Sequence, residues 1–304
     1  MTASNYNRSR RHSPAIIAQI SAAVGVDVVG WPEDAVKAVK AWQCSKGLVA
    51  DGMAGPKTLA ALLGGGDEAR SVPCDLADIR AQWPHAILFT DISRHQTITD
   101  YAAFVAASPC VVIKASEGVH YTDPSFATHW KRTKEEGARR AAYHYAHHAW
   151  HGKAVGPRRA AEAFCDRLEK DPGELPCVLD LEGETTEAAI KAGMTAELIV
   201  DWSMVWCEVT EARTGKRPII YNNYQTIVRR LASYAIKLQG WPQWMAAYPR
   251  DLRWPLDGPV SPHREWSTDA WQFTSSGTCP GVIGNIDLNV ALAGGRLAAL
   301  FGAP

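Results

Sequence analysis

Two carboxyl groups stand two residues apart in the run Pro176-Cys-Val-Leu-Asp180-Leu-Glu182-Gly183. The apolar residues before them predict a buried strand, on which residues i and i+2 face the same side, roughly 6–7 Å apart. Like charges in a partly desolvated site disfavour double ionisation, so one of the two pKa values should be raised. A carboxylic acid of raised pKa can protonate a leaving group near neutral pH, as glycosidic cleavage requires. Asp-x-Glu alone is common, however, and Asp180 could instead cap a loop beside a solvated Glu182.

Polar or aromatic residues also end most of the other apolar runs. They are Asp91, Lys114, Tyr143-His144, Tyr221-Asn222, Tyr248, Gln272 and Asp287. The runs predict eight strands, at Ile87–Asp91, Cys110–Lys114, Arg140–Tyr145, Pro176–Glu182, Arg217–Asn222, Gln243–Tyr248, Ala270–Thr274 and Ile286–Asn289. Amphipathic patterns near 124–137, 157–170, 196–213 and 224–236 predict helices between the earlier strands, and none is convincing among the last three. Chemistry at the carboxyl ends of strands is typical of a (β/α) barrel. An open doubly wound sheet is the alternative, but no G-x-G-x-x-G or P-loop follows any strand.

The composition is that of an ordinary globular protein of about two domains. The 304 residues include 46% apolar and 21% charged residues, with 32 basic against 32 acidic side chains. Zero net charge gives no global field that would recruit nucleic acid or an anionic membrane, and no apolar run approaches the length of a membrane span. The seven cysteines form no C-x-x-C pair and are odd in number. We therefore expect neither a disulfide framework nor a thiolate zinc site, and synthesis in a reducing cytoplasm.

Three consecutive glycines at 64–66 mark the best domain boundary, because they disfavour any regular element. A polar, Pro-containing stretch follows to about His85, and we predict a linker over 65–85. It would join a small helical domain at 14–64 to a larger domain at 86–304. Residues 1–13 carry three arginines with no apolar stretch behind them. We interpret them as a polar tail and not as a standard signal peptide.

The small front domain combines helical spacing with turn residues. Its runs are Ala35-Val36-x-x-Val39-x-x-Trp42-Gln43, Gly47-Leu48, Asp51-Gly52 and Gly55-Pro56-Lys57-Thr58-Leu59. They resemble the three-helix peptidoglycan-binding domain of many cell-wall hydrolases over about residues 14–63. That resemblance implies bacterial peptidoglycan as the partner. The alternative is a generic helical bundle in which Trp42 belongs only to the core.

The rear domain carries an ordered set of runs at its strand ends. They are Asp91-Ile-Ser-Arg-His-Gln96, Lys114-Ala-Ser-Glu117-Gly118, Tyr143-His144-Tyr145, Asp180-Leu-Glu182, Trp244-Met-Ala-Ala-Tyr248, Trp271-Gln272-Phe-Thr and Asp287-Leu-Asn289. In this order they resemble glycoside hydrolase family 25, the muramidases of phage endolysins and of some bacteria and fungi, over about residues 86–302. The resemblance implies an α/β fold, an irregular barrel of five βα units followed by antiparallel strands. It also implies hydrolysis of the β-1,4 bond between N-acetylmuramic acid and N-acetylglucosamine, with no cofactor.

Site roles follow from the resemblance by motif. Glu182 would be the general acid/base, and Asp180 would orient or polarise the acetamido group of the substrate. Asp91 and Asp287 would hold the remaining polar network and stabilise positive charge, while Tyr143 would hydrogen-bond near the reacting sugar. Walls or support would come from Lys114, Glu117, Tyr221, Tyr248 and Gln272. Each of those five could instead be purely structural.

Two further groups of residues invite a functional interpretation. Polymeric sugars stack on aromatic faces, and among the twelve tryptophans we single out only Trp271 as a candidate, since most must be core. The run His144-Tyr-Ala-His147-His148-Ala-Trp-His151 could place four imidazoles on one helical face as zinc ligands. No H-E-x-x-H is present and Tyr143-His144 fits a strand end, so we expect no metal site. We interpret His147–His151 as a solvated loop at the rim of the cleft.

The functional prediction is a peptidoglycan hydrolase with a wall-binding domain, a linker and a catalytic barrel. A phage or prophage endolysin is the leading biological interpretation, made in the host cytoplasm and acting on the wall after release. We expect a monomer without nucleic-acid or membrane partners. The alternatives are a chitinase-like hydrolase of N-acetylglucosamine polymers and a non-catalytic wall-binding protein on an inactive barrel.

Overall fold

The chain divides into two compact units, residues 1–70 and 71–304. The computed structural model describes residues 2–9, 14–45, 50–54, 58, 75–150, 153–168, 171–223, 225–248 and 266–302. No helix in these described ranges is long and apolar enough to cross a membrane. Each unit has its own apolar core.

The first unit contains helices α1 (Ala3–Ser9), α2 (Pro14–Val24) and α3 (Glu33–Ser45). Its core is formed by Ile20, Val28, Trp31, Ala35, Val39 and Ala54. The run Gly55-Pro56-Lys57-Thr58-Leu59 lies outside the described residues, apart from Thr58, which is helical.

The predicted polar tail at 1–13 is wrong for its first part, because Ala3–Ser9 is a helix whose Asn7 is fully buried. Asn7 donates from Nδ2 to the carbonyl of Gly52 at 2.9 Å and accepts from the Ala54 amide at 2.7 Å. Gln43 holds the same loop from α3, accepting from the Gly52 amide at 2.8 Å. The spacing of apolar residues cannot predict these hydrogen bonds from buried polar side chains to a distant loop.

The second unit is built around eight strands that close into a barrel. They are β1 (Ile87–Ile92), β3 (Cys110–Glu117), β5 (Arg139–Tyr145), β8 (Val178–Asp180), β9 (Ile219–Asn223), β10 (Gln243–Ala246), β11 (Ala270–Gly277) and β13 (Ile286–Ala291). Short strands outside the ring are β2 (Thr97–Ile98), β4 (Tyr121–Thr122), β6 (Ala149–Trp150), β7 (Lys153–Ala154) and β12 (Val282–Ile283). All eight predicted strands are therefore present.

Helices precede the first strand of the ring, connect its parallel strands and follow its last strand. They are α4 (Leu76–Gln82), α5 (Tyr101–Ala107), α6 (Phe126–Glu135), α7 (Pro157–Leu168), α8 (Gly183–Lys191) and α9 (Ala196–Thr214), followed by a π-helical turn (Gln225–Leu231), a 3₁₀ segment (Ala232–Gly240) and α10 (Ala298–Gly302). The chain thus makes five βα units, as the resemblance implied. Three of the four predicted helices are present as α6, α7 and α9, and the π-helical turn and the 3₁₀ segment stand at the fourth, near 224–236. Helices α4, α5, α8 and α10 were not predicted from the sequence.

The direction of the late strands differs from the expectation. The seven barrel strands other than β13 all run in the same direction. Among the eight barrel strands, only β13 is antiparallel to both of its partners, β11 and β1. A single reversed strand therefore closes the barrel.

Side chains inside the barrel form an apolar layer with a polar layer above it. The apolar layer includes Phe89, Val112, Ala141, Val178, Ile219, Trp244, Ala270 and Ala291, with Leu297 and Phe301 packed against it. Because alternate strand residues share a face, the residue two positions further on in several strands also faces inward. Those residues include Asp91, Lys114, Tyr143, Asp180, Tyr221 and Gln272.

The predicted linker extends too far toward the barrel. Helix α4 begins after Asp75, whose carboxylate accepts the Ala77 amide as an N-cap. Leu76 and Ile79 are buried in the core between the barrel and its helices. Residues 75–85 therefore belong to the barrel unit, and residues 65–74 lie outside the described part of the chain.

A buried arginine ties the loop before β8 to β5 on the outside of the barrel. The guanidinium of Arg140 is fully buried, with Asp171 and Glu174 accepting from Nη2 at 3.0 and 2.8 Å. It also lies 4.2 Å from the ring centroid of Trp130. Gly173 completes this packing, since a Cβ there would come within 2.5 Å of the Arg140 carbonyl oxygen and 2.7 Å of the Trp130 ring.

We predict that Gly173→Ala destabilises the protein far more than Gly137→Ala. Both glycines have a φ of 81°, so alanine meets the same left-handed strain of roughly 1–2 kcal/mol at either position. Only at Gly173 does the added methyl group also collide with backbone, whereas nothing lies within 4 Å at Gly137. Urea denaturation of both variants measures the difference. Equal losses would show that the loop moves aside at no cost.

Candidate active site

One cavity opens at the carboxyl ends of the barrel strands and collects most of the predicted site residues. It is lined by Asp91, Ser93, His95, Gln96, Tyr143, Val178, Asp180, Glu182, Tyr221, Trp244, Tyr248, Gln272 and Asp287. All four predicted catalytic carboxyl groups are present, and so are four of the seven predicted binding residues. The exceptions are Lys114, Glu117 and Trp271.

The Asp180–Glu182 pair has the predicted alternation. Asp180 ends β8 and lines the cavity, and Glu182 lines the cavity as well. Leu181, between them, is fully buried in the outer core, which is the core between the barrel and its helices. Glu182 directly precedes helix α8 with an extended backbone, and its carboxyl group makes no capping hydrogen bond. Both carboxyl groups therefore face the cavity from one strand end.

Burial dominates the electrostatics of this pair. It raises the pKa of Asp180 well above its ordinary range, and the charge of Glu182 raises it further. Burial also raises the pKa of Glu182, with a further contribution from Glu184, while Lys114 lowers both pKa values. Asp180 Oδ1 is buried and has no hydrogen-bond partner among the described residues. The two carboxyl groups thus share a site that favours one proton and offers one free acceptor oxygen.

Asp91 is held by two amide side chains. Its Oδ2 accepts from Asn289 Nδ2 at 2.8 Å and from Gln272 Nε2 at 3.0 Å. Burial raises the pKa of Asp91 to about 6, and these two hydrogen bonds oppose the rise. Asp91 can therefore be ionised at neutral pH inside the barrel.

Aromatic side chains fix the two amides from the other side. Gln272 Oε1 accepts from the hydroxyl groups of Tyr221 at 2.8 Å and Tyr248 at 2.6 Å. Trp244 Nε1 donates to Asn289 Oδ1 at 3.1 Å. The Trp244 ring makes edge-to-face contacts with Phe89 and Tyr221. The cavity wall and the Asp91 carboxylate are therefore parts of one hydrogen-bonded network.

Asp287 lies directly opposite Asp91, as its pairing partner in the antiparallel β1–β13 ladder. Burial raises the pKa of Asp287 well above its ordinary range, and the charges of Asp91 and Glu182 raise it further. Two residues distant in sequence are thus brought side by side by closure of the barrel.

Lys114 and Glu117 form an ion pair beside the cavity. Lys114 Nζ lies 3.0 Å from Glu117 Oε2 and 4.7 Å from the ring centroid of Tyr145, while His147 Nε2 lies 2.7 Å from Glu117 Oε1. Tyr145 pairs with Asp180 across the β5–β8 ladder. Lys114 therefore supplies positive charge to the carboxyl pair without lining the cavity.

The prediction that Trp271 is a stacking residue is wrong. Its side chain is only 9% exposed and packs in the outer core beside Phe273, with Nε1 donating to the Ala247 carbonyl at 2.6 Å. Since Gln272 faces the cavity, its strand neighbour Trp271 must face the opposite side of the sheet. The same alternation that places Asp180 and Glu182 in the cavity predicts this burial.

The histidine run is neither helical nor a solvated loop as a whole. His144 is buried on β5, stacked on Trp206, with Ser116 Oγ at 2.9 Å from its Nδ1. His148 is also fully buried, its ring meeting Trp202 edge-on, whereas His151 lies outside the described residues. Burial lowers the pKa values of His144 and His148 to about 3, so both are neutral core residues.

Sequence reasoning missed several residues of the site. Ser93, His95, Gln96, Val178 and Trp244 line the cavity without having been nominated, and Asn289 supports Asp91 from behind. Asn289 could have been found, because it stands two residues after Asp287, as Glu182 does after Asp180. The turn residues 93–96 could not have been predicted as cavity residues, because a turn lacks the alternation that shows which strand residues face the interior.

Two models of known protein families match the sequence. The sequence model described as "Glycosyl hydrolases family 25" matches residues 90–282, and the model described as "Putative peptidoglycan binding domain" matches residues 32–62.

Relatives match over part of their length. The Escherichia coli protein YegX (strain CFT073) is 30% identical over 178 residues, which cover 59% of this chain and 57% of YegX. An N,O-diacetylmuramidase from Chalaropsis sp is 33% identical over 139 residues, covering 44% of this chain and 64% of that protein. The chain therefore spans about three fifths of these two curated relatives. The structure of a muramidase from Trichobolus zukalii is 26% identical with a TM-score of 0.52, covering 71% of this chain and 99% of that one.

We predict that Asp91→Asn stabilises the protein at pH 7.5 and has little effect at pH 4. The folded state binds the Asp91 proton more tightly than the unfolded chain, whose pKa is about 4. Stability from this group is therefore present below pH 4 and lost as pH rises through about 6, by up to about 3 kcal/mol. Asparagine keeps an acceptor oxygen but carries no charge. Urea denaturation at both pH values tests this, and an equal effect at both would contradict it.

Proposed function

Since the chain belongs to glycosyl hydrolase family 25, we propose that it is a lysozyme-type muramidase. It would hydrolyse the β-1,4 bond between N-acetylmuramic acid and N-acetylglucosamine in peptidoglycan. The observation that carries the proposal is the convergence of Asp91, Asp180, Glu182 and Asp287 on one cavity at the carboxyl ends of the strands. Burial raises the pKa of every one of these carboxyl groups, so the site can hold both a proton donor and a negative charge near neutral pH.

Glu182 is the general acid of this proposal. It lines the cavity, its pKa is raised by burial, and no capping hydrogen bond holds its carboxyl group to helix α8. It would give its proton to the oxygen of the leaving sugar as the glycosidic bond breaks. The sugar then develops positive charge, which the ionised Asp91 would stabilise from β1.

Asp180 orients the substrate's acetamido group. Its buried Oδ1 lacks a partner among the described residues, and the acetamido N–H is a donor of the matching kind. A hydrogen bond from that N–H favours the ionised form of Asp180, so substrate binding would shift the shared proton to Glu182. The acetamido oxygen could then attack the anomeric carbon, a substrate-assisted route that predicts net retention.

The first unit supplies attachment to the wall. The peptidoglycan-binding match at 32–62 supports this role, and the predicted linker would keep both units on one polymer. We further propose a phage or prophage endolysin that acts on the wall after release from the host cytoplasm. A chitinase-like activity on N-acetylglucosamine polymers is the alternative that substrate digestion decides.

We predict that Glu182→Gln lowers kcat on purified peptidoglycan by about 10²–10⁴-fold while the melting temperature does not fall. Mass spectrometry of the wild-type digest should show new reducing muramic acid ends, and a chitin digest should remain unchanged. An activated aryl glycoside needs less protonation, so the variant should lose much less on it. Free stem peptides in the digest, or equal losses on both substrates, would contradict the proposal.

We predict that Glu184→Gln moves the alkaline limb of the kcat/KM profile to lower pH. The charge of the exposed Glu184 helps to raise the pKa of Glu182, and the general acid must stay protonated to work. Activity well below that limb should not change. Glu187→Gln is the matched control, because Glu187 lies on the same helix but pairs with Arg230 at 2.6 Å. The profile should be measured at low salt, and coincident shifts in both variants would contradict this account.

A further inference from the structure

Asp91 and Asp287 form a second carboxyl pair in the cavity, made by the register of β1 against β13. Directly opposed residues of an antiparallel ladder have Cβ atoms about 4.5–5.5 Å apart on the same face. Two carboxylates at this separation in a buried site repel strongly, so the pair favours a single negative charge. The question is which of the two carries it.

Hydrogen-bond donors distinguish the two members. Two amide N–H groups, from Asn289 and Gln272, reach Asp91 Oδ2 at 2.8 and 3.0 Å. No described residue donates a hydrogen bond to the Asp287 carboxyl group, and burial and the charges of Asp91 and Glu182 raise its pKa. Donors stabilise the charged form of a carboxyl group, so the asymmetry favours charge on Asp91.

The direction of the Gln272 amide is itself fixed. Its Oε1 accepts two phenol hydroxyl groups, from Tyr221 at 2.8 Å and Tyr248 at 2.6 Å. A carbonyl oxygen has two lone pairs, so both are used, and the NH₂ group must face Asp91. Trp244 fixes Asn289 in the same way by donating to its Oδ1 at 3.1 Å. Three aromatic side chains thereby present N–H groups, and not oxygen atoms, to Asp91.

The other groups around the pair do not reverse this preference. Those that line the cavity or act on its carboxyl groups are Asp180 and Glu182 at β8, Lys114 and Glu117 on β3, Tyr143 on β5, Tyr221 on β9, Tyr248 after β10, Glu184 on α8 and His95 in the turn after β1. The negative charge of Glu182 raises the pKa of Asp287. Lys114 lowers the pKa values of Asp180 and Glu182.

We propose that Asp91 and Asp287 hold one proton between them at neutral pH, with the negative charge on Asp91 and the proton on Asp287. Asp287 then serves the substrate as a neutral hydrogen-bond donor to a sugar oxygen, while Asp91 alone faces the developing positive charge. This rests on the proposed glycosidase function for its catalytic meaning, although the protonation states stand independently of it. It replaces the expectation that both residues stabilise positive charge.

The protonation states can be measured directly in the full chain by ¹³C NMR of carboxyl-labelled aspartate. Asp91→Asn and Asp287→Asn assign the two resonances. We expect Asp287 to be protonated at pH 7 in the wild type and Asp91 to be ionised. Asp91→Asn should lower the pKa of Asp287 by removing the neighbouring charge, and Gln272→Leu should raise the pKa of Asp91. An ionised Asp287 beside a protonated Asp91, or two ionised groups, would overturn the proposal.

Activity on peptidoglycan supplies a second, separable test. Asp91→Asn removes the stabilising charge and should lower kcat by about 10²-fold or more. Asp287→Asn keeps a neutral donor and should lose less than about tenfold, whereas Asp287→Leu removes the donor and should lose more. Equal loss in the two asparagine variants would contradict the assigned roles. If the wild type releases no muramic acid ends, the proposed function fails, while the NMR result still decides where the proton is.

Discussion

The two-residue period of the barrel strands is the constraint on which the site depends. Each parallel strand places an apolar side chain in the inner layer, so the residue two positions later faces the same interior one level higher, and in the antiparallel strand β13 the order is reversed. Phe89 thus precedes Asp91, Val178 precedes Asp180, and the same spacing recurs around the ring. Closure by the single antiparallel strand β13 brings Asp287 to Asp91. The carboxyl groups are desolvated because the layer of side chains beneath them is apolar.

Desolvation of the carboxyl groups lowers the stability of the folded protein but suits the groups for catalysis. Four carboxyl groups with raised pKa values oppose folding at neutral pH, where each prefers its proton or a compensating partner. Three of the four have a compensating partner, whereas Asp287 receives no hydrogen bond from the described residues. Asp91 receives two amide N–H groups, and Lys114, held by Glu117, lowers the pKa values of Asp180 and Glu182. The buried charge is retained where positive charge would develop on a sugar, as electrostatic stabilisation of a transition state requires.

The sequence was sufficient for the eight barrel strands and for the cavity position of Asp180 and Glu182, because both depend on local alternation within one run. It failed where a side chain's surroundings depend on distant segments. Trp271 is a different case, because its alternation with Gln272 within one strand already indicates that it faces away from the cavity. The burial of His148 depends on Trp202 from helix α9, and that of Asn7 on the loop at 52–54. The spacing of residues within one run cannot predict contacts with segments that are distant in the sequence.

The two carboxyl pairs illustrate this difference within one cavity. Asp180 and Glu182 are paired by their spacing on a single strand, so their shared proton is predictable from the sequence alone. Asp91 and Asp287 are paired only by the β1–β13 register, and the amides that separate their roles come from β11 and β13. In the first pair the substrate's own N–H would decide which group is ionised. In the second pair the protein decides, through tyrosine and tryptophan donors that orient the amides in advance. The substrate would thus determine the position of the proton in the Asp180–Glu182 pair, and the fold determines it in the Asp91–Asp287 pair. Such a site can bind a neutral sugar while Asp91 keeps its negative charge.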